Sequence, residues 1–285
     1  MSALTETARA KVNLALHVVG RRADGYHLLD TLAVFPPVGD VLTLEAAGEG
    51  PLNLSVTGPM AGALAGLPPE SNLALRGARL ALAAAGIDPE QAGLALTLEK
   101  HLPAEAGIGG GSADAAAAIR LVCRRFGLDP LGPAILEAAL RLGADVPMCL
   151  HSRPLRARGI GETITPLGAL PAFGLLLANP GIATPTPEIF RRLETRTNPP
   201  IADLPAIDHA GAVVDALAAA RNDLQAPAIA FAPAIGALLA DLANLPDVLL
   251  ARMSGSGSTC LALFAAPARR SALRPYCARQ GLRHG

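Results

Sequence analysis

The stretch Pro103-Ala104-Glu105-Ala106-Gly107-Ile108-Gly109-Gly110-Gly111-Ser112-Ala113-Asp114 places four glycines in the five positions 107–111. The residues before it, 93–99, alternate with Leu94, Leu96 and Leu98 on one side, the period of a strand with one buried face. The residues after it, about 112–126, are Ala-rich and end at Gly127, which predicts a helix with a glycine terminator. Strand, glycine loop and helix start, in that order, make a cradle for an anion. Glycine reaches positive φ and lets backbone N–H groups approach a ligand closely. The first helical turn adds unpaired N–H donors and a partial positive charge, a combination suited to phosphate. The same glycines are also compatible with a tightly packed structural loop. No Gly-Lys-Ser/Thr closes the stretch and no G-x-G-x-x-G runs through it, so it is neither of the two common nucleotide loops. Ser112 can cap the helix, bind a phosphate oxygen or reach a metal, and capping is the simplest of the three.

Working outward, residues 8–19 read as one strand, with Val12, Leu14, Leu16 and Val18 on a core face and Lys11 and Asn13 together on the other. Arg21 to Tyr26 is a polar turn, and 28–35 and 40–45 read as further strands. Residues 72–85 predict a helix ending at Gly86, and 133–142 a helix ending at Gly143; Asp145 and a short apolar segment, 146–150, follow. Beyond about 151 the composition shifts. Residues 153–187 are rich in Pro, Gly and Thr, with a strand at 173–178. Past 205 come helices and then strands at 247–252 and 259–264, joined by Ser254-Gly255-Ser256-Gly257-Ser258. A division near 155–165 gives two domains, 1–158 and 159–285.

Composition narrows the function. Of 285 residues, 51% are apolar and 17% charged, enough for a buried core. Lys+Arg and Asp+Glu are both 24, so a broad basic surface for nucleic acid is not expected. The longest uncharged stretch, Thr163 to Pro187, carries five prolines and Asn179, which argues against a membrane span. Glu6, Arg9 and Lys11 near the start do not read as an export signal. With no C-x-x-C pair, Cys123, Cys149, Cys260 and Cys277 read as free thiols, and a cytoplasmic setting is expected. His101, His151, His209 and His284 lack metal-ligand spacing, so no protein metal site is expected. Only two of the 24 basic residues are lysines, Lys11 and Lys100. Lys100 reads as a surface lysine at a strand end, with an approach to phosphate as the alternative.

The segment Pro103–Ser112, the N-terminal Ala10-Lys11-Val12-Asn13-Leu14 and the late Ser254–Ser258 loop together resemble the GHMP kinases, named for galactose, homoserine, mevalonate and phosphomevalonate. Arg22-Ala23-Asp24-Gly25-Tyr26-His27, Leu142-Gly143-Ala144-Asp145-Val146-Pro147 and Asn179-Pro180-Gly181 narrow the resemblance to a branch whose alcohol substrate carries a cytidine diphosphate group. The matching segments run in order from about residue 8 to 264. Ala104-Glu105-Ala106 departs from the small or Gly-rich residues usual after the Pro.

The resemblance implies an α+β protein. Its N-terminal domain would be like the second domain of ribosomal protein S5, and its C-terminal domain ferredoxin-like. ATP, as its Mg²⁺ complex, would lie on Pro103, Ala104, Glu105, Ala106, Gly107, Ile108, Gly109, Gly110, Gly111, Ser112 and Ala113. No tightly bound cofactor is implied, and Mg²⁺ would be held mainly by phosphates and water. The γ-phosphoryl would pass to the 2-hydroxyl of cytidine diphosphate methylerythritol, a step of the non-mevalonate isoprenoid route. Asp145 would take the hydroxyl proton. Lys11 would orient the Asp and stabilise the developing alkoxide, and because an ion-paired carboxylate is a weak early base, the Asp would act late as a proton sink. Asn13, Tyr26, His27, Thr186 and Phe190 would bind the substrate, with Tyr26 covering the cytosine and His27 reading its edge. Phe190 would either stack on the opposite base face or serve as a buried helix anchor. Two rivals stand beside this reading. A mevalonate or homoserine kinase would share the loop but need no cytosine site. A noncatalytic S5-like RNA-binding protein conflicts with zero net charge and 3% aromatics.

Overall fold

The computed structural model describes residues 3–168, 170–203 and 210–264. Its elements in the N-terminal half are β1 (Leu4–Arg9), β2 (Val12–Arg21), β3 (His27–Val34), β4 (Gly39–Ala46), β5 (Asn53–Thr57), α1 (Leu73–Ala84), β6 (Leu94–Glu99), α2 (Gly110–Phe126), α3 (Pro133–Leu142) and α4 (Val146–His151). They continue with β7 (Leu155–Gly159), β8 (Thr163–Pro166), β9 (Gly174–Ala178), α5 (Thr186–Arg191), α6 (Ala210–Ala218), α7 (Gln225–Phe231), α8 (Ala234–Ala243), β10 (Val248–Met253) and β11 (Cys260–Phe264).

Among the described residues the strands form three sheets, β1-β4-β6-β5, β2-β3-β7-β8 and β10-β11-β9. All pairings are antiparallel except β5 with β6. The alternation at 93–99 gives its strand, with Leu94, Leu96 and Leu98 at most 1% exposed. They join Leu42, Leu44 and the alanines of α2 in one core. The Ala-rich sequence of α2 has a packing reason, because the helix is wedged among α1, α4, β1 and β4. Small side chains let those backbones approach: a Cβ on Gly77 of α1 would stand 2.6 Å from the Ala115 carbonyl oxygen. A second core joins β2 and β3 to Ile108, Leu261 and Leu263, and a third joins the far end of β2 to Ile189, Ile235 and Met253. The strand β2 therefore links the two halves of the chain.

Three expectations are corrected. The strand expected over 8–19 is two strands in different sheets, broken at Ala10 and Lys11. At the break the Lys11 N–H turns to the Ile108 carbonyl, 2.8 Å away, instead of continuing the ladder. Both faces of β2 are buried from Val12 to Val18. Its polar residues are hydrogen-bonded within that burial, Asn13 to Thr31 and His17 to the Pro199 carbonyl. The helix expected from 112 begins at Gly110, capped by Gly109 in the left-handed region, so Ser112 lies in the first turn and is not the cap. The hairpin β7–β8 spans the position of the division expected between 158 and 159. Lys100, expected at the surface, is 3% exposed. Cys123, Cys149 and Cys260 are buried free thiols, while Cys277, His209 and His284 lie outside the described residues. No described helix is long and apolar enough to cross a membrane.

Candidate active site

The glycine loop is held by its carbonyls, which leaves its N–H groups available. Glu105 O accepts from Thr184 N–H, Ala106 O from Thr259 N–H, Gly107 O from the Ser254 hydroxyl and Ile108 O from Lys11 N–H. Among the described residues the N–H groups of Gly109, Gly110, Gly111 and Ser112 donate to no backbone carbonyl. They are the orphan donors of a helix start, gathered on one side. Gly107 has φ +72°, and a Cβ there would lie 2.5 Å from Ser254 O and 2.6 Å from Gly257 O. The late Ser/Gly loop thus packs directly on the early one.

The break between β1 and β2 aims Lys11 at the same place. Its ammonium stands 2.7 Å from Asp145 Oδ2, with side-chain exposures of 7% for the Lys and 38% for the Asp. Asp145 occupies the cap position before α4, yet its carboxylate makes no capping bond. A Cβ on Gly109 (φ +63°) would stand 3.3 Å from Lys11 Cβ and 3.9 Å from Asp145 Oδ2. Nearby, burial chiefly, with added push from the Asp145 charge, raises the Cys149 thiol to about 12, so it stays neutral and unreactive.

A cavity of about 960 Å³ opens over this pair. Of the residues expected from sequence, Lys11, Asn13, Tyr26, His27, Glu105, Ala106, Gly107, Gly109, Gly110, Gly111, Ser112, Asp145, Thr186 and Phe190 line it. Pro103 and Ala104 line a neighbouring cavity of about 350 Å³ instead, and Glu105, Gly110 and Gly111 face both. Ile108 and Ala113 are buried in two different cores, so they meet a ligand only through backbone.

At the other end of the large cavity the Arg22–Tyr26 turn closes through Arg22 N–H to Tyr26 O (2.7 Å) and Gly25 N–H to Arg22 O (3.0 Å), with Gly25 at φ +94°. Tyr26 is 59% exposed. The aromatic pair that forms is His27 with Phe190, ring centroids 4.8 Å apart and planes at 25°. The helix anchor of α5 is Ile189, fully buried, while Phe190 is half-buried on the cavity wall. Burial first, then Arg21 and Arg196, lower the His27 pKa, so its ring is neutral at neutral pH. Among the described residues, two buried polar atoms of this wall have no hydrogen-bond partner, His27 Nε2 and Asn13 Oδ1. Asn13 otherwise donates to Thr31 Oγ1 at 2.7 Å, and its N–H meets Ser254 Oγ at 3.0 Å. Thr186 Oγ1 pairs with Ser256 Oγ at 2.8 Å.

Sequence reasoning missed Thr31 and Ser256 as parts of this wall, and Ser254 buried behind it against Asn13. The late Ser/Gly loop signals the two serines, whereas nothing local marks Thr31.

Lys11 and Asp145 thus stand beside the free N–H groups of a helix start, under a cavity walled by the His27–Phe190 stack. Family models for the GHMP kinases N terminal domain and the GHMP kinases C terminal match residues 72–153 and 204–280, and the chain belongs to the GHMP kinases. Its relatives within them include 4-diphosphocytidyl-2-C-methyl-D-erythritol kinase of Cereibacter sphaeroides (strain KD131 / KCTC 12085), 52% identical over 262 residues, 91% of this chain and 88% of that protein. The kinase of the same name from Paracoccus denitrificans (strain Pd 1222) is 52% identical over 270 residues, 94% of this chain and 90% of that one. A crystal structure of 4-(cytidine 5'-diphospho)-2C-methyl-D-erythritol kinase superposes with a TM-score of 0.74 at 33% identity, covering 96% of both chains. The family within the class is thus that of 4-diphosphocytidyl-2-C-methyl-D-erythritol kinase.

Proposed function

We propose that the chain transfers the γ-phosphoryl group of ATP to the 2-hydroxyl of 4-diphosphocytidyl-2-C-methyl-D-erythritol, in the cytoplasm, as a step of isoprenoid precursor synthesis. The observation that carries this reading is the shared cavity, with the Lys11–Asp145 pair at one end and the neutral His27 stacked on Phe190 at the other. The substrate's two ends need those two environments.

Phosphates of ATP suit the unpaired N–H groups of Gly109–Ser112. The adenosine end suits the smaller cavity, whose apolar wall includes Leu54, Val56, Leu64 and Leu67 and which meets the larger one at Gly110 and Gly111. Among the described residues no three His, Cys, Asp or Glu side chains gather as a metal cage. Mg²⁺ would arrive with the nucleotide, held mainly by phosphate oxygens and water.

Lys11 holds Asp145 in place from the buried side and leaves the carboxylate open to the cavity. The substrate oxygen attacks the γ-phosphorus while the bond to the bridging oxygen breaks and its electron pair leaves with ADP. The hydroxyl proton passes to the Asp145 carboxylate, and the Lys11 ammonium stabilises the negative charge on the attacking oxygen. Positioning and charge stabilisation supply most of the acceleration, as is general for phosphoryl transfer.

The cytosine belongs at His27 and Phe190, with the exposed Tyr26 ring free to fold over it. A neutral imidazole presents one donor and one acceptor, matching the alternating groups of a base edge. The unpartnered His27 Nε2 and Asn13 Oδ1 are groups that a polar ligand would satisfy. A coupled ADP-release assay tests the reading with cytidine diphosphate methylerythritol, mevalonate and homoserine as alternative acceptors. Turnover is expected with the first alone. Turnover with mevalonate or homoserine and none with the cytidine compound would overturn the assignment.

A further inference from the structure

Lys100 follows β6 directly and is sealed in a buried cluster. Its ammonium meets Asp40 of β4 and, at 3.0 Å, Asp114 of α2; the two carboxylates are 0% and 3% exposed. Asp40 Oδ1 also accepts the N–H groups of His101 (2.5 Å) and Leu102 (2.7 Å), the backbone just before the glycine loop. Asp114 stands on the helix just after it. One cluster therefore fixes both ends of the phosphate cradle, with Lys100 joining them. Lys100 Nζ is 3.3 Å from the point where a Cβ on Gly110 would stand, and Lys100, Gly110 and Asp114 all line the smaller cavity.

One ammonium cannot neutralise two carboxylates. Burial chiefly raises the Asp114 carboxyl, to about 8; Lys100 opposes that rise and Asp40 adds to it. Among the described residues Asp114 Oδ1 is buried without a partner, a place for the proton. Burial works against the charge of Lys100, but Asp114 and Asp40 outweigh it and raise the lysine, so it stays an ammonium.

We propose that Asp40, Lys100 and Asp114 are positioning residues for the nucleotide loop, and that the proton on Asp114 is coupled to phosphate binding in the cradle beside it. This rests on the ATP reading above. With the proton the cluster is neutral. Without it, one net negative charge lies beneath the first turns of α2, where it repels a polyphosphate. Linkage makes the effect reciprocal, so bound phosphate must raise the proton affinity of Asp114.

Other charged groups near α2 do not supply this behaviour. From α4, Cys149 stays neutral to about 12. Arg120 of α2 is paired with Glu6 of β1. Lys11 and Asp145 are paired with each other across the loop. The buried face of α1 is apolar, its Arg79 is paired with Glu70 and Glu90, and its Arg76 is exposed.

Calorimetry of the full chain with a non-hydrolysable ATP analogue tests this at pH 7 and 9, and at pH 8 in two buffers of different ionisation enthalpy. Binding is expected to weaken by about fivefold or more at pH 9, the scale of one added charge at short range. At pH 8, uptake of a fraction of a proton is expected. The Asp114→Asn protein should bind equally at pH 7 and 9 and take up no proton. Wild-type binding that is independent of pH and takes up no proton would overturn the coupling, even if the variant fails to fold. So would a folded Asp114→Asn protein that keeps the wild-type slope and uptake. Absence of analogue binding at every pH would instead overturn the ATP reading, and this one with it.

Discussion

The two lysines of this Arg-rich chain stand on opposite sides of one glycine loop, and they differ in what faces them. Lys11 has one carboxylate, Asp145, which is 38% exposed to the large cavity. Lys100 has two, both essentially sealed. Adjacent glycines report the division, since a Cβ on Gly109 would press on Lys11 and one on Gly110 on the Lys100 ammonium. The lesson is that an ion pair open on one side can exchange charge with a substrate, whereas a closed one holds backbone in place. Removing either lysine should separate those roles.

The largest expected effect is on stability. Lys100→Met leaves two buried acids without their cation and should cost about 3 kcal/mol or more. Thermal unfolding should show a clear drop in Tm, with Lys11→Met close to wild type. Equal Tm losses in the two variants would erase the distinction. Next comes chemistry. Asp145→Asn and Lys11→Met should each lower kcat by about 10²-fold or more while analogue binding survives. A folded Asp145→Asn enzyme with unchanged kcat would remove the Asp from proton transfer.

The same comparison shows what could be read from sequence. Glycines between a strand period and an Ala-rich helix mark the cradle locally, and Leu94, Leu96 and Leu98 mark the strand that leads to it. Lys11 and Asp145 are legible as motif residues. The burial of Lys100 was not, because its partner Asp40 is 60 residues away and no local pattern joins them. The chain break at Lys11 was hidden for the opposite reason, since alternation continues smoothly through it while the two halves enter different sheets. Propensity alone starts α2 later, because glycine is a poor helix former, and tertiary packing overrides that at Gly110 and Gly111. His27 with Phe190 is a contact between β3 and α5, and α5 carried no strong periodic signal.

The glycines themselves give the third test. Gly109→Val and Gly110→Val should both weaken the ATP analogue more than the cytidine substrate, by about tenfold or more for Gly109, where φ +63° resists a β-branched side chain. Gly110 has helical backbone and faces the movable end of Lys100, so its effect should be the smaller. Normal analogue affinity in both variants would show that the cradle is not the nucleotide site. Fourth, Tyr26→Ala should raise KM for the cytidine substrate by about tenfold, if stacking on a base is worth ~1–3 kcal/mol. CDP should compete with the alcohol substrate, and the variant should lose that inhibition. Competition by CDP against ATP alone would make the Tyr26 turn structural.

The smallest effect concerns the charge around His27. Burial, Arg21 and Arg196 each push its pKa below the ordinary 6.5, which keeps the ring neutral. A neutral ring offers an acceptor that an imidazolium lacks. Substrate KM should therefore stay flat as pH falls from 8 to near 6.5 and rise only below that, as the ring gains its proton. Arg21→Met removes one cation that lowers the His27 pKa and should move the midpoint of that rise upward. Arg21 also donates to the Gly25 carbonyl at 3.1 Å, so the variant loosens the turn and raises KM at every pH. The two contributions separate cleanly, because loosening shifts the whole curve vertically while the lost charge moves its midpoint. A midpoint that stays put, or moves to lower pH, would mean that Arg21 acts on the turn alone and that burial by itself keeps His27 neutral.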